Sequence, residues 1–286
     1  MNNMRTFFLC ILGLASSVTV VKLWGETAVK DSWDGSHYKK NSSAQRKVAL
    51  AVIESIPFKG TETVLDIGCG NGFVTTEIAK RLPKGRVVGL DKSPSMLKSA
   101  RENFSTVSNL SFIQEDATNF NLNQKFDYVT SFFTIHWIED QTAVLNSIKK
   151  VLKPGGRIAL VLGPADSPMQ TVFVTFKEQG RWPAATTMRE KKFHGKTVEQ
   201  FEDLLKKNGF TPLDVHDIHK TISFKNVEHL VRWMMGWIPF TTGFQKQEAL
   251  EFAHEFAQEM LIQLQQNPKN QIDLPFTPLY VRARFP

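Results

Sequence analysis

Short apolar runs alternate with stretches of helical spacing between residues 62 and 162. Each run is six or seven residues long and mostly apolar, which is typical of strands buried on both faces of a sheet. The predicted strands are residues 62–67, 86–91, 110–115, 126–132 and 157–162. Strands that alternate with helices predict an α/β protein, in which helices cover both faces of a mostly parallel sheet.

Local signals indicate where the predicted helices begin. Ser93 can accept a hydrogen bond from the first free N–H groups of a helix, and Pro94 fits its first turn. Thr197 and Gln200 have the spacing of a capping box. The remaining predictions are helices over residues 44–56, 73–82, 141–152 and 197–208, and a turn over residues 153–156.

The alternation stops after Gly163. Residues 164–196 show no clear strand, and residues 226–266 have helical spacing that breaks near Pro239. Two more strands are predicted, over residues 213–224 and 279–284, which brings the predicted sheet to seven strands. Residues 164–196 and 225–275 are therefore interpreted as helical insertions into one domain, residues 26–286. Because α/β proteins bind ligands beyond the carboxyl ends of their strands, the insertions are predicted to form a lid over the substrate.

The amino-terminal segment differs from the rest of the chain. An apolar run over residues 7–21 lies between Arg5 and Lys22, and Ala15 and Ser17 are small residues at the spacing of a cleavage site. This pattern is typical of a secretory signal or a short membrane anchor. The run is shorter than the roughly 20 residues that a membrane span needs. Residues 1–25 are therefore predicted to lie outside the fold.

Composition and charge narrow the classes of function. The net charge is +7 and the pI is about 9.3, which favours an anionic partner. Nucleic acid is not the expected partner, because the basic residues are dispersed and no zinc-finger or RNP-type motif is present. The two cysteines, Cys10 and Cys69, predict neither a disulfide framework nor a metal site.

A glycine-rich turn is the main chemical signal. Asp66-Ile-Gly-Cys-Gly-Asn-Gly72 follows a predicted strand and precedes a predicted helix, whose amino terminus offers free N–H groups. Glycine lets a ligand approach the backbone closely. Asp91 comes 23 residues after Gly68, near the spacing of a carboxylate that binds ribose hydroxyls. The pattern predicts a site for a nucleoside-containing cofactor.

Two details separate the cofactor classes that fit this pattern. The third glycine comes one residue earlier than in the dinucleotide fingerprint G-x-G-x-x-G. The carboxylate of Asp66 would repel a pyrophosphate, but it would attract the ammonium group of S-adenosylmethionine. The residues therefore favour a methyltransferase over a nucleotide-dependent oxidoreductase.

The chain resembles the class I S-adenosylmethionine-dependent methyltransferases. Residues 62–72 resemble motif I, residues 89–96 the second-strand motif, residues 115–117 the adenine loop, and residues 126–137 with 152–156 motifs IV and V. Residues 130–138 resemble trans-aconitate methyltransferases and juvenile hormone acid methyltransferases, and residues 38–45 resemble the second group. The resemblance covers about residues 35–163 and implies a Rossmann-like fold. It fades in the insertions, so the substrate does not transfer.

The resemblance implies cofactor-binding roles for particular residues. Asp66 would orient the ammonium group through water or backbone, Gly68 and Gly70 would contact the methionine part, and Asp91 would bind the ribose hydroxyls. The remaining candidates are Met96 and Lys92 beside adenine, Asp116 and Ala117 at its amino group, Ser131 beneath the methionine part, and Tyr38 and Gln45 in the amino-terminal segment. Met96 could equally fill the core, and Asp116 could be a turn residue.

The resemblance places the methyl acceptor near His136, which follows the fourth strand. The expected acceptor is a small, anionic molecule that is methylated on a carboxylate oxygen. A carboxylate needs no base, whereas a hydroxyl would need one, and His136 is the candidate. His136 could also be structural. Trp137, Arg232, Trp233 and Trp237 are further substrate candidates, and an anionic acceptor could pair with Arg181, Arg189, Lys192, His194 or Arg232.

Other functions remain open at this point. A malonyl-acyl-carrier-protein methyltransferase would suit the basic surface, and a C- or N-methyltransferase would use the same cofactor motifs. A binding protein that keeps the cofactor without turnover is a third alternative. Because export would separate the chain from its cofactor, we expect it in the cytoplasm, with membrane association through residues 7–21 or secretion as the alternatives.

Overall fold

The computed structural model describes residues 42–286. The predicted signal or anchor over residues 1–25 and the candidate Tyr38 lie outside these residues. Within residues 42–286, no helix has both the length and the apolar character that crossing a membrane requires.

A seven-stranded sheet forms the centre of the described part of the chain. Its strands are β1 (Thr63–Ile67), β2 (Arg86–Asp91), β3 (Leu110–Gln114), β4 (Phe126–Phe132), β5 (Leu152–Leu162), β6 (Thr211–Asp217) and β9 (Leu279–Arg284). The order across the sheet is β3-β2-β1-β4-β5-β9-β6. All strands run parallel except β9, which pairs antiparallel with β5 and β6. The order reverses between β1 and β4, and this switch point is where α/β sheets bind ligands.

Helices cover both faces of this sheet. They are α1 (Ser43–Ser55), α2 (Phe73–Lys80), α3 (Pro94–Phe104), α4 (Gln141–Val151) and α7 (Val198–Lys207). On one face Ile148 of α4 and Phe201 of α7 join the sheet core, and on the other Ile53 of α1 and Ile78 of α2 do so. The predicted Rossmann-like α/β fold, with seven strands and helices on both faces, is confirmed.

Two predicted helix starts are also confirmed. The Met96 N–H donates to Oγ of Ser93 at 3.2 Å, and Pro94 opens α3. At the start of α7, the Gln200 N–H donates to Oγ1 of Thr197, and the Thr197 N–H donates to Oε1 of Gln200. The first free N–H groups of both helices are thereby satisfied locally, which is why the sequence signal is reliable there.

The two insertions pack together around one aromatic core. They contain α5 (Pro168–Glu178), α6 (Pro183–Lys192), α8 (Val227–Met234), α9 (Ile238–Thr242) and α10 (Lys246–Gln263). A second sheet pairs β7 (Lys220–Phe224), which directly precedes the second insertion, with β8 (Ile272–Phe276) at its end. Phe173 and Phe176 of α5 contact Phe252 and Phe256 of α10 at ring-centroid distances of 4.8–6.0 Å. Segments far apart in sequence therefore share a single hydrophobic core.

Three predictions of local structure were wrong. The strand predicted over residues 213–224 is two strands, because β6 pairs with β9 whereas β7 pairs with β8. Alternation continues on both sides of the break, so the pattern does not reveal it. β8 was not predicted, and the turn predicted over residues 153–156 belongs to β5, which starts at Leu152 with a register shift against β4.

Candidate cofactor and acceptor site

The glycine turn joins β1 to α2 at the switch point. The N–H groups of Gly68 and Cys69 donate to the carbonyl oxygen of Leu90 at 2.7 and 3.0 Å, which fixes the turn against β2. Gly68 has φ +70°, and a Cβ there would lie 2.1 Å from Oγ1 of Thr134. Gly70 has φ +54°, and a Cβ there would meet only Sδ of Met96 at 4.0 Å. The backbone at Gly70 therefore borders space that a ligand can enter.

Asp91 holds this turn from the end of β2. Its Oδ2 accepts the Gly70 N–H at 2.8 Å and its Oδ1 accepts the Ser93 N–H at 2.9 Å. Each carboxylate oxygen can accept more than one hydrogen bond, so these contacts are compatible with ribose binding. They also fix the direction of the carboxylate.

Asp66 lies beneath the turn rather than at its surface. It is 2% exposed, and it accepts hydrogen bonds from Oγ1 of Thr75 at 2.6 Å and Oγ1 of Thr130 at 2.8 Å. Burial raises the pKa of Asp66 to about 6, although the two hydroxyls oppose this shift. Because the side chain is enclosed, any effect on a ligand would pass through backbone or water, which is the role implied by the resemblance.

Asp116 and Lys92 form an ion pair at 2.7 Å beside the turn. Asp116 Oδ1 also accepts hydrogen bonds from the N–H and the hydroxyl of Thr118 at 2.9 and 2.7 Å. Burial alone would raise the pKa of Asp116, but the hydrogen bonds from Lys92 and Thr118 outweigh it and lower the pKa to about 2. Ala117 and Met96 are buried, and Sδ of Met96 is the atom nearest to a Cβ built at Gly70. The ion pair brings together two of the four predicted adenine-binding residues, Lys92 and Asp116.

Ser131 and Gln45 connect elements around the same region. Oγ of Ser131 donates to the Ile67 carbonyl at 2.8 Å, which links β4 to β1 where the strand order reverses. Oε1 of Gln45, on α1, accepts a hydrogen bond from Nε1 of Trp233 at 3.4 Å. Gln45 therefore ties the first described helix to the second insertion.

His136 lies in a short 3-10 helix (Ile135–Trp137) that follows β4. Its Nδ1 accepts the N–H of Gly163, directly after β5, at 2.8 Å. The ring is 3% exposed, and burial, together with the charge of Arg189, lowers the pKa of His136 to about 3. The imidazole is therefore neutral near pH 7. With Nδ1 as the acceptor, its proton is assigned to Nε2.

Aromatic rings surround His136. The ring of Trp137 lies 4.8 Å from His136, and Phe193, which follows α6, lies 5.4 Å from His136 and 5.5 Å from Trp137. Phe240 closes the outer side at 5.3 Å from Trp137. The rings of His136, Trp137, Phe193 and Phe240 form a cluster with Arg189 at the carboxyl end of β4 and β5. This cluster is called here the His136 chamber.

Of the three substrate candidates on the second insertion, two line a cavity and the third does not. Arg232 and Trp233 line a cavity of about 660 Å³ between α1, β7 and α8, whereas Trp237 packs against Phe173 and Phe256 in the insertion core. The other residues lining the cavity are Ser43, Ala44, Lys47, Val48, Ala51, Lys220, Thr221, Ile222, Ser223, Phe224, His229 and Phe276. The sequence grouped Arg232, Trp233 and Trp237 because they are neighbours on the chain, but they do not face the same space.

Several residues of the site were not predicted from the sequence. Gly163, Phe193 and Gln170 contribute to the chamber or contact Arg189, yet they lie after the recognisable motifs. Thr75 and Thr130, the partners of Asp66, also carry no motif signal of their own. Tertiary contacts alone bring them together.

Comparison with known proteins identifies the family. Residues 58–209, more than half of the chain, match the family model described as "Methyltransferase domain". Trans-aconitate 2-methyltransferase from Shigella flexneri is 25% identical over 266 residues, which is 88% of this chain and 98% of that protein. Malonyl-[acyl-carrier protein] O-methyltransferase 1 from Ilyobacter polytropus is 40% identical over 96 residues, 34% of this chain. For two of the relatives the match covers less than two thirds of their own length: 36% of the Ilyobacter polytropus protein, and 61% of the Invertebrate iridescent virus 6 protein named "Putative methyltransferase 235L".

A solved structure supports the same fold. Phosphoethanolamine N-methyltransferase 2 from Haemonchus contortus, in complex with S-adenosyl-L-methionine, aligns with a TM-score of 0.59 at 21% sequence identity. The alignment covers 88% of this chain and 56% of that protein. At this identity the likeness concerns the fold.

Proposed function

The chain belongs to the methyltransferase-domain family as a class I S-adenosylmethionine-dependent enzyme, and from this premise we propose that it methylates a carboxylate oxygen of a small molecule. The coarser activity, S-adenosylmethionine-dependent methyl transfer, follows from the family. The choice of a carboxylate acceptor is the proposal. It rests on the protonation and hydrogen bonding of one residue, His136.

The residues at the switch point fit the cofactor. Gly70 borders open space with Sδ of Met96 as its nearest neighbour, and Asp91 is held in place by two backbone N–H groups. Asp116, paired with Lys92 at 2.7 Å, is the candidate for the base. When bound, S-adenosylmethionine supplies a methyl group that moves to the acceptor oxygen as its bond to sulfur breaks, leaving S-adenosylhomocysteine. The residues of the chain hold both molecules in line and exclude water, and positioning of this kind contributes about 7–11 kcal/mol.

His136 supports an acceptor that is already ionised. Its Nδ1 is occupied by the Gly163 N–H, so its Nε2 carries a proton and donates rather than accepts. A buried, neutral imidazole in this state is poorly suited to remove a proton from a hydroxyl. A carboxylate needs no such removal near pH 7, because its ordinary pKa lies near 4. We therefore assign His136 to the wall of the acceptor site as a hydrogen-bond donor, not as a general base.

The named activities of two relatives are compatible with this proposal. One relative is named for trans-aconitate and the other for O-methylation of a malonyl group on acyl-carrier protein. The second candidate acceptor is therefore a malonyl group on a carrier protein, whose acidity would suit the net charge of +7 of this chain. A carboxylate oxygen would be the acceptor atom in both cases.

A labelled-methyl assay tests the proposal. Purified enzyme is incubated with tritiated S-adenosylmethionine and with trans-aconitate, octanoate, malonyl-acyl-carrier protein, or an alcohol or amine analogue of octanoate. We expect label in a product that releases volatile methanol in base, which identifies a methyl ester. Asp91→Ala, which loses the proposed ribose carboxylate, serves as the inactive control.

The other outcomes separate the alternatives. Base-stable label in the alcohol or amine product would overturn the carboxylate proposal and indicate a different acceptor atom. Tight cofactor binding by calorimetry, with no transfer to these acceptors or to a cell extract, would indicate a binding protein without turnover. Labelling of the malonyl carrier alone would select the second candidate.

The cellular location is part of the same proposal. Because the donor is supplied inside cells, we propose a cytoplasmic location for the methyltransferase domain, with residues 7–21 as a tether or as a segment of no consequence for location. Cell fractionation with detection of the full chain tests this. Recovery of the domain outside the cytoplasmic membrane would contradict it.

A further inference from the structure

Arg189, on α6, is a buried cation in the His136 chamber. Its side chain is only 8% exposed. The guanidinium carbon lies 3.7 Å from the centre of the Phe193 ring, 5.1 Å from that of Phe173 and 5.4 Å from that of Trp137. An aromatic ring stabilises a cation by about 0.5–2 kcal/mol, whereas a charge removed from water without a counter-ion costs several kcal/mol.

The hydrogen bonds of Arg189 leave part of its guanidinium unused. Nε and Nη2 both donate to Oε1 of Gln170, at 3.2 and 3.0 Å. A guanidinium carries five N–H donors, and Gln170 is the only hydrogen-bond partner that Arg189 has in the part of the chain that the structure describes. Among residues 42–286 no carboxylate lies within ion-pair distance of it.

Arg181 provides an internal comparison. It also stacks on a phenylalanine, with its guanidinium carbon 4.1 Å from the centre of the Phe176 ring. Unlike Arg189, it pairs with the carboxylates of Glu255 and Glu259 at 3.1 Å each, although it is the more exposed of the two. The more exposed arginine, Arg181, therefore has carboxylate partners, whereas the buried Arg189 has none among the described residues.

The position of Arg189 indicates an anionic ligand for this buried charge. The cation faces the neutral His136, whose pKa it helps to lower, at the edge of the sheet where the acceptor is expected. Burial lowers the pKa of Arg189 to about 9, so the guanidinium remains charged near pH 7. A buried charge without a counter-ion is a strong binding point for an anion that brings one.

We propose that Arg189 binds a carboxylate group of the methyl acceptor through Nη1 and Nη2, and that Gln170 holds the guanidinium in the orientation this requires. The inference rests on the proposed carboxylate acceptor. Two parallel N–H···O bonds to the end of the guanidinium match the planar carboxylate and are among the stronger contacts available to a protein. Arg189 is then the residue that selects acids over their neutral analogues.

Two substitutions test this without removing the packing of the chamber. Arg189→Met keeps an unbranched side chain among the rings and loses the charge. Gln170→Glu is nearly isosteric and places a carboxylate of the protein itself beside Arg189. Arg181→Met is the matched control, since it removes an aromatic-stacked arginine outside the chamber.

Both steady-state kinetics and binding are measured. Calorimetry follows the binding of trans-aconitate, octanoate and octanamide to the complex with S-adenosylhomocysteine. For the acid that the wild type prefers, we expect Arg189→Met to raise KM and the Kd by about 30- to 100-fold, the usual effect of losing charged hydrogen bonds. Gln170→Glu should weaken acid binding similarly while raising Tm, because it pairs the buried charge. Arg181→Met should leave acid binding unchanged, and all three variants should bind S-adenosylmethionine normally.

The outcomes distinguish this inference from the function on which it rests. If Arg189→Met and Gln170→Glu methylate acids with wild-type KM, the site is wrong and the carboxylate function stands. If acids bind in an Arg189-dependent manner but only alcohol or amine analogues are methylated, the site stands and the function is wrong. If trans-aconitate, octanoate and malonyl-acyl-carrier protein neither bind to the wild type nor are methylated, both are overturned.

Discussion

The Gly163 N–H donates to Nδ1 of His136 at 2.8 Å, and this bond joins the segments that follow β4 and β5. It places the imidazole at the carboxyl edge of the sheet and settles which of its nitrogens accepts. Because His136 is buried beside Arg189, its neutral form is the stable one. The chemistry expected of the site therefore depends on a contact between two residues that are far apart in sequence.

The first prediction concerns the pH dependence of turnover. The pKa of His136 is lowered to about 3, so the imidazole stays neutral at every pH above that value. We expect kcat to be constant between pH 5 and pH 8 in initial-rate measurements with saturating cofactor and acid. A fall in kcat below a pKa near 6.5 that disappears in His136→Gln would instead identify His136 as a general base.

The second prediction separates two glycines of the turn. Gly68→Ala places a Cβ 2.1 Å from Oγ1 of Thr134, so we expect a loss of about 3 kcal/mol or more in the free energy of unfolding. Gly70→Ala meets no such neighbour, so only the strain of a positive φ lowers its free energy of unfolding, by about 1–2 kcal/mol. Its larger effect should be on the Kd of S-adenosylmethionine, because the new methyl group enters the space left for the ligand.

Urea unfolding and calorimetry measure the two effects side by side. Gly70→Ala with unchanged cofactor affinity would show that the ligand does not approach the turn at this point. Equal destabilisation by both substitutions would mean that strain, rather than the contact with Thr134, determines the cost.

The third prediction compares two aspartates that both accept backbone N–H groups. Asp91 accepts from Gly70 and Ser93 at the ligand edge, whereas Asp127 accepts from Thr63 and pairs with Lys153 near the start of β4. We expect Asp91→Asn to raise the Kd of S-adenosylmethionine by about 100-fold, because hydrogen bonds to a charged acceptor contribute about 1.5–3 kcal/mol. Asp127→Asn should lower stability and leave the Kd unchanged; similar Kd values for both variants would refute the ribose assignment.

The fourth prediction concerns the pH dependence of stability. Burial raises the pKa of Asp66 from 3.8 to about 6, so its contribution to stability is greatest below pH 3.8 and is lost as the pH rises through 6. Asp66→Asn removes this dependence. Between pH 4 and pH 7 the unfolding free energy of the variant should therefore gain about 2 kcal/mol relative to wild type.

Asp127→Asn is the control of opposite sign. Although partial burial alone would raise the pKa of Asp127, its hydrogen bonds with Lys153 and Thr63 lower it, so that its contribution is present at neutral pH and lost in acid. Because this loss occurs below pH 3.8, the variant should differ little from wild type in its pH dependence between pH 4 and pH 7, and should show the opposite trend only in more acidic solution. A pH-independent difference for Asp66→Asn, from urea unfolding at both pH values, would show that the carboxylate is already ionised throughout this range.

Much of the fold could be predicted from the sequence because its signals are local. Apolar runs give the strands, and the caps at Ser93 and Thr197 involve residues three positions apart. The pairing of strands is not local. The pattern over residues 213–224 therefore suggested one strand, whereas β6 and β7 enter different sheets.

The two halves of the site differ in the same way. The proposed cofactor side lies at the ends of β1, β2 and β3, so motif spacing was sufficient to predict Asp66, Asp91 and Asp116 as candidates. The acceptor side combines residues from α5, α6 and the segments after β4 and β5. From the sequence, Arg189 was one of five residues that could pair with an anionic acceptor. Gln170, which accepts hydrogen bonds from its guanidinium, was not a candidate.

The sequence by itself determined the parallel α/β scaffold and the cofactor class, because both depend on residue types at fixed short spacings. Only the tertiary structure decided that His136 is neutral and that Arg189 is buried without a carboxylate partner in the described chain. Protonation and counter-ions depend on which distant groups surround a side chain and how much water they exclude. Neither the surrounding groups nor the exclusion of water can be derived from the spacing of residues along the chain.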